Sequence, residues 1–364
     1  MEKIYTSLGL MSGTSGDGVD SSLITSDGKD KFLIKSNNYD PYPQHLSSEI
    51  HRIKEKIKSS SDLAKFIKEI ELLEDKLTIF HADVVKRWLS LFHVDIIGFH
   101  GQTIFHNSEE KISKQLGIGQ KLSNLTKKIV VYDFRKNDLK NGGEGAPLTP
   151  IYHLLLIKSF KDKKKLKLPV IILNIGGIAN ITFINKRYKM NSMDIGPGNC
   201  LIDKWIRLNS GKDFDDNGNI SKSGKIDKFI LDQALDNFYN NRISKKKSLD
   251  TNDFNLSFAK GLSLENGAAT ITEFTADILS KKILDADVYV CGGGRKNKFL
   301  LESIQKKISG KVRIIDSLGI DGGFIESQAF AYLAIRSYLD LPISFPETTG
   351  CAEPSTGGAI VKNY

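Results

Sequence analysis

The chain has 364 residues, 40% hydrophobic and 26% charged, the balance of an ordinary globular protein with length for two domains. No apolar run approaches the ~20 residues of a membrane span, and Met1-Glu2-Lys3-Ile4 lacks the charged-then-apolar layout of a secretion signal. Three cysteines, Cys200, Cys291 and Cys351, are too few and too scattered for a disulfide framework or a CxxC metal site, so a cytoplasmic protein without a membrane partner is expected. The 52 basic residues outnumber the 43 acidic ones for a net charge of +9, yet only nine of them are arginine. The densest runs, Lys163 to Lys167 and Lys245 to Lys247, carry no interleaved aromatics on which bases could stack. The excess therefore reads as solvated lysine surface, and no nucleic-acid partner is expected.

Residues 4–10 read as a strand ending in the polar turn Ser12-Gly13-Thr14-Ser15-Gly16-Asp17-Gly18, with Val19 to Ser26 as the returning strand of a hairpin. Between Asp62 and Phe92 the 3–4 spacing of Leu63, Phe66, Ile67, Ile70, Leu73, Leu77, Phe80, Val84, Trp88 and Leu91 predicts one or two long amphipathic helices, with Ser60 or Ser61 as N-cap. Val94 to Phe99 reads as a short buried strand ending at His100-Gly101-Gln102-Thr103, and Ile129 to Val131 as another. The irregular, glycine-rich stretch Asn137 to Pro150 is a candidate domain boundary or site loop. A second hairpin follows, Val170 to Asn174, Gly176-Gly177, then Ile178 to Ile184. Helices are expected at Leu201–Asn209, Asp227–Tyr239, Glu265–Leu284, Asn297–Ile308 and Ile325–Tyr338, and strands at Val288–Cys291 and Val312–Ile315. Strands alternating with helices indicate an α/β protein, and one hairpin with a glycine turn in each half hints at duplication.

Neither a Walker A sequence nor a GxGxxG fingerprint is present. Instead three glycine turns follow strands, at 13–18, 176–177 and 292–294. Glycine lets backbone N–H groups converge on an anion; Ser12, Thr14 and Ser15 add hydroxyls, and Asp17 adds a carboxylate able to hold Mg²⁺. Any one of them taken alone is as readily an ordinary tight turn. Together, two phosphate-type hairpins and a later glycine triplet are the layout of the hexokinase, Hsp70 and actin superfamily, a fold-level analogy that does not choose a substrate.

The chain closely resembles the anhydro-N-acetylmuramic acid kinase family. The resemblance rests on ordered blocks spread over residues 9 to about 358: Gly9-Leu10-Met11-Ser12-Gly13-Thr14-Ser15 with Asp17-Gly18-Val19-Asp20; His100-Gly101-Gln102-Thr103 with His106; Asp133-Phe134-Arg135; and Gly142-Gly143-Glu144-Gly145-Ala146-Pro147-Leu148. It continues through Asn174-Ile175-Gly176-Gly177-Ile178-Ala179-Asn180, Asp194-Ile195-Gly196-Pro197-Gly198-Asn199, Gly292-Gly293-Gly294-Arg295-Lys296-Asn297 and Glu326-Ser327-Gln328-Ala329-Phe330-Ala331. The resemblance implies a two-lobed actin/hexokinase-like (ribonuclease H-like) fold with an ATP cleft between lobes. The N-terminal lobe would span 1–135, joined by 345–364, and the C-terminal lobe 136–344. It implies ATP and Mg²⁺ as cofactors, a small sugar as substrate and a homodimer as a possible assembly.

The implied reaction converts ATP, water and 1,6-anhydro-N-acetylmuramic acid to ADP and N-acetylmuramic acid 6-phosphate. The anhydro bridge ties up O6, so a base must deliver water to C1 while the bridge opens and O6 attacks phosphorus. Asp194 matches the family's catalytic carboxylate; by residues alone it is also an Asp-led turn before a helix. Ser12, Gly13, Thr14, Ser15, Gly16, Asp17, Gly18, Val19 and Asp20 match the first phosphate hairpin, with Asp17 at the metal. Gly176, Gly177, Gly292, Gly293, Gly294 and Asn297 complete the nucleotide set. Arg135 is apt for the sugar's lactyl carboxylate, or else forms an ion pair. His100 and Thr103 belong to the sugar set, as does Glu326 unless it caps the helix at 325–338. His100 and His106 are the wrong distance apart for metal ligands on one helical face. Cys291 reads as a small buried hydrophobe.

Three positions depart from the family pattern. Gly16 replaces a leucine or methionine and should loosen the turn by up to ~1 kcal/mol; Gly323 replaces an aspartate near Glu326, and Thr251 an arginine. An active kinase is still expected, because Asp194 and Asp17 are retained. The other readings are a kinase of another sugar or small acid that incorporates no water, and an ATP-binding switch without sugar turnover.

Overall fold

The structure, a computed structural model, describes residues 3–160, 166–240, 249–283 and 285–362. The lysines at 163–165 and 245–247 and Leu284, read as the end of a helix, lie outside the described residues. The chain divides into two compact units, Met1–Ser159 with Phe324–Tyr364, and Phe160–Gly323.

In the first unit, β1 (Tyr5–Ser12), β2 (Gly18–Ser26) and β3 (Phe32–Pro41) form an antiparallel meander. β4 (Ile96–Asn107) lies parallel to β1; β5 (Ile112–Leu116) folds back on its far end, and β6 (Ile129–Tyr132) runs parallel to its first half. The helices are α1 (Gln44–Lys56), α2 (Ser60–Lys65), α3 (Ile67–Leu89), α4 (Gly119–Thr126), α5 (Lys136–Lys140) and α6 (Pro150–Phe160). The long periodic stretch is thus two helices, and its cap is Ser59, one residue before the expected serines. Asp62 at the third helical position completes a capping box with it. β3 escaped the sequence reading because it is an edge strand without a buried face, its burial alternating only between partial and full exposure.

The second unit repeats the plan. β7 (Val170–Ile175), β8 (Ile178–Ile184) and β9 (Met190–Pro197) form a meander, and β10 (Asp287–Cys291) and β11 (Val312–Ile314) follow in parallel on the β7 side. α7 (Cys200–Asn209), α8 (Asn219–Ser223), α9 (Lys228–Asn240), α10 (Leu264–Ser280) and α11 (Lys298–Gln305) complete it. Trp205, Ile271, Phe274 and Leu300 bury one face of the sheet through Leu173, Ile175 and Val288. Leaving aside β5, which branches off β4, both sheets share one spatial order: the meander from its third strand to its first, then two parallel strands, β4 and β6 in one unit and β10 and β11 in the other. This shared topology makes the chain a duplicated α/β protein of the actin/hexokinase-like class.

The chain returns to the first sheet with α12 (Ile325–Tyr338), which packs on β1, β2 and β4, and with a last strand, Ala359–Val361, antiparallel to β6. α12 is buried on nearly every side, as suits a helix rich in alanine. Its backbone comes so close that a Cβ at Gly9 would stand 1.9 Å from the Ser327 carbonyl oxygen, and one at Gly98 2.2 Å from that of Phe330. Gly9 and Gly98 are register partners across β1 and β4, so they form a single glycine-lined seat for the helix.

Candidate active site

In the first unit the sequence-predicted residues gather at the carboxyl ends of the parallel strands β1, β4 and β6, the edge where open α/β sheets bind ligands. After β1 the chain turns through Gly13 to Asp17, closed by the Gly16 N–H donating to the Gly13 carbonyl at 3.2 Å. Thr14, Ser15 and Asp17 are exposed on this turn, and Ser15 Oγ donates to Asp17 Oδ1 at 2.7 Å. Gly18 lies under the Tyr39 ring, Val19 is core and Asp20 is half-buried in β2. Neighbours hold the turn from below: Ser47 Oγ donates to the Gly16 carbonyl, Lys54 Nζ to that of Thr14, and Gln102 Nε2 to that of Gly13. Gly16 has φ +69°. A leucine there would be strained, so the expected loosening by glycine is offset by a backbone that favours it.

Ser12 behaves differently from the exposed hydroxyls. Its Oγ is buried, 2.7 Å from Tyr42 Oη and 3.0 Å from His81 Nε2, while His81 Nδ1 is 2.7 Å from the Leu77 carbonyl oxygen. A carbonyl only accepts, so Nδ1 carries the proton. Burial pulls His81 down to about 4, keeping the ring neutral with Nε2 as acceptor. Ser12 must therefore donate to His81 and accept from Tyr42, and its one proton is committed inward. Sequence reading missed both partners; the available signal was a histidine on the apolar stripe of α3, in step with Leu77, Val84 and Trp88.

The second cluster joins three motifs. Arg135, just past β6, donates through Nη2 to His100 Nε2 at 3.0 Å, and Nη1 lies 3.4 Å from the Gly145 carbonyl oxygen. His100 Nδ1 donates to the Gly101 carbonyl at 2.8 Å, and its ring packs on Phe330 with centroids 4.4 Å apart. Burial first, then the Arg135 charge, pull His100 down to about 3; the same two causes act on His106. Both rings are therefore neutral at physiological pH. The loop after α5 is tied by Asp138, 1% exposed, which accepts from Gly145 N–H at 2.7 Å and Thr349 Oγ1 at 2.6 Å. Thr103 accepts from Gln115 Nε2 at 3.2 Å, and Glu326 is half-buried in the first turn of α12. A cavity of about 440 Å³ opens beside His100 and Asp133, with Lys111, Lys114 and Lys136 in its wall.

In the second unit Asp194 lies in β9, not in a turn, because β8 pairs with it across the sheet. Cys291, Asn174, Asn180 and Asp194 form one row of register partners across β10, β7, β8 and β9. Asp194 Oδ2 accepts from the Leu249 N–H at 2.9 Å. Past β9 the chain is stitched to the glycine pair: Gly198 N–H donates to the Gly177 carbonyl at 2.9 Å and Asn199 N–H to that of Gly176 at 2.8 Å. The glycine triplet after β10 is pinned by Arg295, whose Nη1 donates to the Gly292 carbonyl and whose Nε and Nη2 pair with Asp316 and Asp321. Asp321 also accepts from Gly323 N–H at 2.9 Å, so a carboxylate remains two residues from the position where the family's aspartate is missing. Asn297 is a helix cap, its Oδ1 accepting from Leu300 N–H at 3.0 Å. Thr251 opens a short 3-10 turn capped by Asp250. Cys291 is fully buried, as expected.

The glycine turns have room for a ligand. A Cβ at Gly13, Gly176 or Gly293 would come no closer than 3.5 Å to any atom outside its chain neighbours. Packing does not require glycine at these three positions; what a side chain would fill there is the space in front of the loop.

A family model described as anhydro-N-acetylmuramic acid kinase matches residues 5–363. A protein of Pelagibacter ubique bearing that name is 50% identical over 379 aligned residues, covering 100% of each chain. Its namesake from Agrobacterium fabrum is 36% identical, again over 100% of each. Among solved structures, the activator of the 2-hydroxyisocaproyl-CoA dehydratase from Clostridium difficile overlaps 91% of this chain and 94% of its own, at 11% identity and a TM-score of 0.41. With the family model and two full-length relatives in agreement, the chain belongs to the anhydro-N-acetylmuramic acid kinase family.

Proposed function

We propose that the protein uses ATP and water to open 1,6-anhydro-N-acetylmuramic acid and to phosphorylate O6, giving N-acetylmuramic acid 6-phosphate for reuse of cell-wall sugar. The observation that carries the reading is Asp194: a half-buried carboxylate, fixed by the Leu249 N–H, in a strand whose exit is stitched to the Gly176-Gly177 turn. Asp194 takes a proton from water as the water oxygen bonds to C1. The C1–O6 bond breaks, O6 bonds to the γ-phosphorus, and the bond from phosphorus to ADP breaks. No covalent enzyme intermediate is needed, and most of the catalysis is positioning.

Thr14 and Ser15 would donate to the phosphates beside the open Gly13, and the open glycines at 176 and 293 would leave room for the nucleotide in the second unit. Asp17, an exposed carboxylate with hard oxygen donors, would hold Mg²⁺, which when bound neutralises phosphate charge. Arg135, already aimed by His100, would meet the lactyl carboxylate, with His100, Thr103 and Glu326 around the sugar. The lining beside His100 sets Lys111, Lys114, Lys136 and Lys140 against Glu74 and Asp133, which pair with Lys114 and Lys136, and the net positive balance supports an acidic sugar.

The test is turnover in ¹⁸O-water with mass spectrometry of the product. Label at the C1 hydroxyl of a 6-phosphorylated product is expected, and Asp194→Asn should lower kcat by 10²–10⁴-fold while ATP still binds. ATP consumption without the labelled product, or near-normal turnover by Asp194→Asn, defeats the reading.

A further inference from the structure

Asn180 faces Asp194 from the neighbouring strand, and the fold leaves its amide oxygen without a partner. Opposed residues of an antiparallel pair share a face, with Cβ atoms about 5 Å apart. Asn180 pairs with Asp194 on one side and with Asn174 on the other. Asn180 Oδ1 is sealed from solvent and has no hydrogen-bond partner among the described residues. Buried amide oxygens are almost always paired, so an orphan calls for a missing donor. The register of β8 and β9 also shifts between Ala179 and Asn180, leaving Ile195 as the extra residue beside Asp194. Such bulges re-aim side chains, and they recur next to active sites.

We propose that Asn180 is the second anchor of the attacking water, a step that rests on the reading of Asp194 as its base. A water held by one carboxylate still turns about that hydrogen bond, and its lone pair sweeps a cone. A second acceptor fixes the second O–H and leaves the lone pair aimed in one direction. An amide oxygen suits the task because it accepts a hydrogen bond without competing for the proton, which can then go only to Asp194. One O–H bond of the water breaks toward Asp194; the other stays intact on Asn180 Oδ1 and becomes the C1 hydroxyl.

Asn180→Leu matches the side chain in shape and removes a buried unpaired oxygen, so its urea midpoint should equal or exceed that of the parent. Its kcat should fall about 100-fold, with the KM for ATP within twofold. Asn180→Asp keeps an oxygen in the same position; assayed at pH 8.5, it should recover at least tenfold of that loss. The proposal is overturned if folded Asn180→Leu keeps kcat within threefold of the parent. It is equally overturned if Asn180→Asp turns over no faster than Asn180→Leu. Asp194→Asn is assayed in parallel to separate the two layers: if it is inactive while Asn180→Leu is active, only the anchor falls, whereas an active Asp194→Asn removes the base and the anchor together.

Discussion

Mild acid should weaken the first unit through its buried histidines, at a pH where carboxylates are still ionised. All seven histidines of the chain precede residue 160, so the second unit has none. His81, His100 and His153 are 0%, 3% and 1% exposed. Burial pulls them from 6.5 to about 4, about 3 and about 3, with the Arg135 charge adding to the effect at His100. Unfolding returns each ring to water and to a pKa of about 6.5, so below that pH the unfolded chain binds more protons than the folded one. Stability is therefore complete above pH 6.5 and is lost as the pH falls from there toward 4. Each ring contributes a slope of about 1.4 kcal/mol per pH unit, so three remove roughly 4 kcal/mol between pH 6 and 5. That is a large part of the 5–15 kcal/mol of an ordinary domain. The two tryptophans, Trp88 and Trp205, fall one in each unit. Fluorotryptophan NMR during urea titration at pH 7.5, 6.0 and 5.0 reads them separately. The Trp88 midpoint should drop steeply over this range; a Trp88 midpoint that does not move between pH 7.5 and 5.0 would refute the argument.

Two further outcomes test the first unit's site. Arg135→Ala should raise the KM for the anhydro sugar at least tenfold and leave the KM for ATP unchanged; an unchanged sugar KM means that another residue holds the carboxylate. Gly16→Ala should destabilise the fold by about 1–2 kcal/mol, because φ there is +69° and the new Cβ would stand 3.0 Å from Ile50 Cγ2. Thermal unfolding checks it, and parental stability would show that the turn can relax.

What could be read in advance was what neighbouring residues decide among themselves. The glycine turns, α12 and the first two strands of each meander are local patterns of period and turn chemistry, and they lie within a residue or two of where they were expected. Asp194 shows the limit. Asp-Ile-Gly-Pro-Gly-Asn has the composition of a turn, and it is a strand because Ile178–Ile184 supplies an edge and the Gly176-Gly177 carbonyls accept from Gly198 and Asn199. Nothing within six residues of Asp194 carries that information. The same holds for Ser12. Its neighbours mark it as a hydroxyl for phosphate, but its proton goes to His81, 69 residues away, and it accepts from Tyr42, 30 residues away. Asn297 follows the rule from the other side, since its cap to Leu300 spans three residues and is legible from the sequence as a helix start. A motif shared with a family marks a position as constrained without saying whether ligand or fold imposes the constraint. Hydrogen-bond accounting helps to separate the two: Asn297 Oδ1 and Ser12 Oγ are satisfied by the protein, whereas Asn180 leaves a buried oxygen unpaired beside the carboxylate. Among motif asparagines, the one the fold leaves unsatisfied is the one to test for chemistry.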